Sequence, residues 1–349
     1  MVTGSRPGRN TIIRHCVIEV SSLLIGLTAS ALSQGGMDGY PFEVPADPRS
    51  FAMGESFTGL PSNPFALMYN PAGLAGLRGV RVSYAQRSLA ASGEQTLRSF
   101  NAAIGTPIGS FAAQYNRDSY TMPTVVSGVG EQSVNNTYNF DIAIGYAVGL
   151  GRGFSAGVAA KYYEEHGNSS IYSSTPARLF DVGCTYTFRR FHSQETVEDS
   201  ITIGMSYQNI GPEWRRHYAG YHIPELDLQT WLPQYFRAGL AYALRVIPRR
   251  EGDVSPLEAV ISGDYRSIQT AGGRDAWGMG MECTIEEFIS VRAGGVFRDG
   301  NEDTHVRYGM AVRLPFRALG VDLLAQYAVI PWYSYYAFSI DVQTSGSLF

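Results

Sequence analysis

Charge is scarce in this chain. Lys and Arg number 27 and Asp and Glu 31 among 349 residues, 17% in all, whereas soluble domains carry about 25%. Something other than charge therefore covers the surface. Basic residues show no excess: the net charge is −4 and Lys161 is the single lysine. That leaves no electrostatic footprint for nucleic acid, which is not an expected partner. Long apolar runs are missing too. After residue 34 none approaches the ~20 residues of a membrane helix. Catalytic groupings are equally thin: no nucleophile elbow occurs, and no carboxylate pair has a convincing setting. The six His are scattered. His217 and His222 sit five apart in a Tyr-rich loop, and Glu164–Glu165–His166 reads as a solvated strand end rather than a ligand cluster. No enzyme activity, cofactor or metal is expected.

What is present starts with an export signal over residues 1–33. Arg6, Arg9 and Arg14 precede the apolar run "VSSLLIGLTASA", which is too short to span a bilayer, and "ALS" suits a small-residue cleavage site. Export by the Sec route follows. Beyond it the dominant rhythm has period two. In "PQYFRAGLAYALRV" Phe236, Ala238, Leu240, Tyr242 and Leu244 alternate with Arg237, Gly239, Ala241, Ala243 and Arg245. "TYNFDIAIGYAV" and "HVRYGMAVRL" repeat the pattern. Fourteen such runs begin near Val80, Thr96, Ser110, Tyr138, Phe154, Ala177, Ser200, Tyr235, Leu257, Ala276, Ile289, His305, Val321 and Tyr335.

Each run is about ten residues, longer than the five or six typical of soluble strands. The second face is Gly, Ala and Ser with single charges, and aromatic residues gather at the ends. This predicts an all-β fold: a 14-stranded antiparallel transmembrane β-barrel spanning residues 79–349, with outer-membrane lipid outside and a polar lumen inside. Closure follows because a free strand edge in hydrocarbon strands its backbone groups. Connections alternate in length: "TPIG", "GLGRG", "EE" and "PFRA" are short and periplasmic. Residues 117–135 and 211–232 form long external loops. Residues 189–200 are a long connection on the short side. "GLGRGF" joins two strands and is a turn, not a phosphate loop. Cys184 and Cys283 fall on the sixth and tenth strands, which are not neighbours, so no disulfide is expected. Asp141, Arg237, Asp264, Arg292, Arg307 and Arg313 should face the lumen, each Arg compensated by Asp or Glu. Asp181, Glu282 and Asp341 share that face.

A barrel of this size has a lumen wider than its own side chains fill. Residues 34–78 precede the first strand, are moderately apolar, and twice carry Asn-Pro. They are placed to fold into the lumen as a hatch, with Phe65, Leu67, Met68, Asn70, Pro71, Gly73 and Leu74 at its centre. "NPAGLAGL" resembles the hatch of the FadL-type outer-membrane transporter superfamily. "FDVGCTYTF", "IGMSYQNIGPE", "LPQYFRAGLAYAL" and "GMECTIEEFISVRAGGVFR" carry a closer resemblance to the PorV/PorQ family of barrels linked to type IX protein secretion.

That resemblance implies a component in the outer membrane of a Gram-negative bacterium whose external loops receive the C-terminal domains of secreted cargo proteins and contact secretion-translocon subunits. Trp214, Arg215, Arg216, Tyr218, Tyr221 and Trp231 would form the contact surface, being rich in the residue types of interface hot spots. The alternative is a FadL-like transporter carrying a hydrophobic small molecule between hatch and wall.

Overall fold

A computed structural model describes residues 47–89, 95–125, 132–166, 172–191, 197–212, 214–220, 223–230, 232–246, 255–269, 275–298, 305–331 and 335–344. The expected export signal, the first part of the expected hatch (34–46), Tyr221 and Trp231 lie outside these residues.

Among the described residues a short helix, α1 (Pro48–Ala52), precedes the strands β1 (Val80–Leu89), β2 (Gln95–Thr106), β3 (Gly109–Val125), β4 (Gln132–Gly151), β5 (Phe154–His166), β6 (Tyr172–Ser174), β7 (Ala177–Phe191), β8 (Val197–Ile210), β9 (Trp214–Gly220), β10 (Ile223–Thr230), β11 (Tyr235–Val246), β12 (Leu257–Ile268), β13 (Ala276–Ile285), β14 (Ile289–Arg298), β15 (His305–Phe316), β16 (Val321–Ile330) and β17 (Tyr335–Thr344). All but β6, β9 and β10 join one closed antiparallel barrel. Its fourteen strands are the fourteen alternating runs. β17 closes on β1 from Arg81↔Gln343 to Leu89↔Tyr335, which brings both ends of the sheet to the short-turn side.

Alternation sorts the residues by face as membrane embedding requires. On β8, Ile201, Ile203 and Met205 are exposed while Thr202, Ser206 and Gln208 are buried. The exposed faces of the other strands carry Phe100, Ile144, Val158, Phe180, Leu240, Ile261, Trp277, Met310 and Ile340. Among the described residues no helix is long and apolar enough to cross a membrane; here strands supply the apolar surface. Neighbouring rings form a girdle on it: Tyr84–Phe100 lie 4.9 Å apart, Phe100–Tyr115 6.4 Å, Tyr115–Phe140 6.2 Å and Phe140–Tyr162 6.1 Å.

Three connections differ from expectation. Residues 117–135 are largely strand, because β3 and β4 stay paired from Tyr120↔Thr137 out to Val125↔Gln132. Residues 211–232 contain β9 and β10, and β9 pairs with both β10 and β6 in a separate three-stranded sheet. The long connection at 189–200 is short after all, since Arg189↔Ser200 and Phe191↔Glu198 are still paired. Main-chain groups that leave the bilayer keep strand partners where a polar sequence alone suggests a loop. The "GLGRG" turn is tight, with Gly151, Arg152 and Gly153 at φ 89°, 52° and 83°, a left-handed path that glycine takes without steric cost.

Candidate functional site

The Asn-Pro steps begin the local structure of residues 47–78. Asn70 accepts a bond from the Ala72 amide at 3.1 Å, and Pro71 opens the 3-10 turn Pro71–Leu74. Asn63 accepts from the Phe65 amide at 3.0 Å ahead of the turn Ala66–Met68. Asp47 caps α1 through the amides of Arg49 and Ser50 at 3.1 and 3.0 Å, with Pro48 as first helical residue. An Asn or Asp cap satisfies end amides, and proline costs nothing where an amide has no helical partner.

This segment meets strands from every side of the barrel, always through their buried face. Asn101 of β2 donates to the Pro64 carbonyl at 2.6 Å, and Ser206 of β8 to the Tyr69 carbonyl at 2.6 Å. Asn70 donates to the Cys184 carbonyl of β7 at 3.0 Å, and Ser56 and Ser262 hydroxyls lie 2.7 Å apart. Asp264 of β12 accepts the Phe57 and Thr58 amides at 2.8 and 2.7 Å. An element bonded around the whole inner face of a closed barrel lies within it.

Ion pairs add to this. Glu55 is buried between Arg307 of β15 at 2.8 Å and Arg266 of β12 at 3.3 Å. Burial opposes its charge, yet Arg307 and Arg266 prevail and hold its carboxyl at about 2. Arg49 contacts Glu282 of β13 at 2.6 and 2.9 Å, and Arg292 of β14 bonds the same carboxylate. Such pairs bind strongly only with well-made geometry, since desolvation opposes them.

Apolar contacts complete the seat. Leu67, Leu74 and Leu77 pack on Ala103, Ala112, Ala143, Ala147 and Ala159. Phe65 packs on Ala85 and Leu97, and Phe51 on Ala328, Ile330 and Ala337. Met68 is half-buried beside Met53, Phe57, Leu60 and Tyr69. Asn70, Pro71, Gly73 and Leu74 are all buried. Where the segment's main chain runs closest, the wall is glycine: a methyl at Gly105, Gly157, Gly204, Gly278 or Gly280 would overlap its backbone.

The lumenal charges are compensated differently from expectation. Asp141, Arg237, Asp264, Arg292 and Arg307 are buried as the alternation requires. Of these arginines, Arg292 and Arg307 alone have carboxylate partners among the described residues. Arg237 donates to Gln208 at 2.9 Å and lies over the rings of Tyr69 and Tyr235. Asp141 accepts from Asn116 at 3.0 Å, and Arg313 forms no ion pair among the described residues. Amides, main-chain N–H groups and aromatic faces thus replace the expected counter-charges. Lys161 pairs with Asp181 at 2.6 Å beside Asn209.

Sequence reasoning missed Glu55, Arg49 and Arg266. The glycines spaced along the charged face of successive strands were the available signal, because glycine within a strand marks close approach by another backbone. Of the expected partner-binding residues, Trp214, Arg215, Arg216 and Tyr218 lie on β9, and Arg215 is exposed. Cys184 lies on β7 and Cys283 on β13, strands that are not neighbours in the barrel, and the described residues hold no cluster fit for a metal ion.

Two cavities flank this arrangement. On the membrane face of β2–β5 an apolar groove of about 690 Å³ runs over Ala102, Ala113 and Ala160, bounded by Phe111, Tyr146 and Val158. The aromatic girdle lies on its other side. Behind it the wall is Ala103, Ala112, Gly145 and Ala159, three of them alanines that meet the segment's leucines. The second cavity, about 330 Å³, is polar and opens toward the short turns, floored by residues 61–65.

No family model matches the chain, and no curated protein matches it. Among solved structures it is similar to the Pseudomonas putida toluene transporter TodX, with a TM-score of 0.46 and 11% identity over 89% of this chain and 98% of that one. The CymD monoaromatic hydrocarbon channel gives 0.47 and 9% over 85% and 97%. A Pseudomonas aeruginosa FadL homologue gives 0.47 and 11% over 86% and 99%.

Proposed function

We propose that this protein is an outer-membrane barrel of a Gram-negative bacterium, exported by the Sec route, that admits hydrophobic small molecules at the β2–β5 wall. Residues 34–78 act as its hatch. The observation that carries this reading is the pair of apolar layers back to back: a groove facing lipid and a leucine cluster facing the lumen, separated by alanine and glycine. Small side chains leave the least bulk for an apolar molecule to displace, while the ion-paired remainder of the lumen offers water and ions no comparable route. Pockets for apolar ligands are commonly lined in this way, with few polar groups. Type IX secretion, with cargo domains and translocon subunits as partners, gains no support from the described geometry or from the comparisons.

Filling the groove tests the proposal. Ala113→Phe with Ala160→Phe adds bulk on the lipid face and leaves every lumenal contact in place. Proteoliposomes carrying this variant should accumulate the apolar dye N-phenylnaphthylamine several-fold more slowly than wild type. Unchanged uptake by a folded variant would remove the wall route. Recovery of secreted proteins on the intact barrel, with no dye transport, would favour secretion instead.

A further inference from the structure

The polar cavity on the short-turn side holds charges that are unevenly satisfied. Its carboxylates are mostly occupied. Asp47 caps α1, and Glu282 is shared by Arg49 and Arg292. Glu287 takes Arg245 at 2.6 Å, and Glu258 stands opposite Arg245 in the β11–β12 register. Asp341 accepts from Gln326 at 2.5 Å and Ser339 at 3.3 Å.

Two cations remain. Among the described residues Arg81 of β1 donates only to the Ser62 carbonyl, at 3.4 Å. Arg313 of β15 has a buried Nε without a partner, and neither arginine forms an ion pair among the described residues. Both line the same cavity, where Arg313 and Arg49 act on Arg81 as neighbouring like charges and Asp341 opposes them from a greater remove than an ion pair. Two guanidinium groups lining one recess repel each other, and Arg313 leaves a buried donor unused. An oxyanion relieves both costs, because carboxylate and phosphate oxygens match the guanidinium fork.

We infer that Arg81 and Arg313 form a binding site for a small oxyanion, a carboxylate or phosphate group, at the short-turn mouth of the lumen. The cavity is large enough for such a group together with a short apolar or hydrated stem. The site stands independently of the transport reading: it is separate from the β2–β5 groove and shares no lining residue with it.

Titration calorimetry on the purified barrel in detergent, with sodium phosphate and sodium hexanoate at constant chloride, tests it. Wild type should bind at least one of them. Arg81→Gln and Arg313→Gln should each weaken binding about tenfold, the size expected for one charged hydrogen bond. The outward-facing Arg98→Gln should leave it unchanged. Gln343→Glu, which keeps both arginines and sets a carboxylate opposite Arg81 in the β1–β17 register, should displace the anion in the same way. Binding of hexanoate alone would identify the carboxylate end of an apolar ligand as the source, and binding of phosphate alone a free or headgroup phosphate. Absence of binding by either anion, or binding that survives both arginine substitutions and Gln343→Glu, overturns the site.

Discussion

Glu55 is the residue on which the seating of the N-terminal segment most depends. It answers two arginines from different strands, Arg266 and Arg307, so its removal leaves both buried and short of their counter-charge. Breaking a buried pair by deleting one partner costs about 3–5 kcal/mol. Glu55→Gln should lower the thermal unfolding midpoint accordingly. Acid should act through the same group. Its folded value of about 2 lies below the ordinary 4.5, so its contribution is full above 4.5 and is lost as pH falls from there toward 2. Circular dichroism melts across that window should show a falling midpoint in wild type and a weaker fall in Glu55→Gln. An identical acid response in both would remove Glu55 from the account. Nothing in the sequence singled Glu55 out, because it lies in a segment without periodicity. Arg307 and Arg292 were legible, since a charge in phase with Gly and Ala on an alternating strand has only the lumen to face.

Strands were readable because each obeys one rule over about ten residues, and a phase error would put charge into lipid. The extensions of β3 and β4 and the β6–β9–β10 sheet were not, because outside the bilayer no face needs to be apolar and alternation vanishes. The segment's seat was half readable. Its Asn-Pro turns and leucines stood out, but the glycines that receive it passed as mere filling of the polar face. They give a direct prediction. Gly204→Val would drive a side chain into the Thr58 carbonyl, and overpacking of this kind costs about 1–3 kcal/mol. Trypsin should then cut after Arg49 in a barrel whose strands remain paired. Gly149→Val, at a position with open space around it, should stay protected. Equal protection of both variants would mean that the seat tolerates displacement.

At the scale of the whole molecule, two opposed demands are met by one chain. The bilayer requires a closed sheet with an apolar exterior, and closing fourteen strands creates a lumen too wide for side chains alone. Residues 47–78 occupy it with their own hydrogen bonds, ion pairs and leucines, leaving a polar recess on the short-turn side and thin apolar wall at β2–β5. A barrel so filled should not conduct ions, whatever apolar molecules cross its wall. Planar-bilayer recording tests this most directly, with the full protein compared against a variant lacking residues 47–78. The full protein should show no large, steady conductance and the shortened barrel should show one. Porin-like current through the full protein would contradict the closed lumen and the wall route built on it.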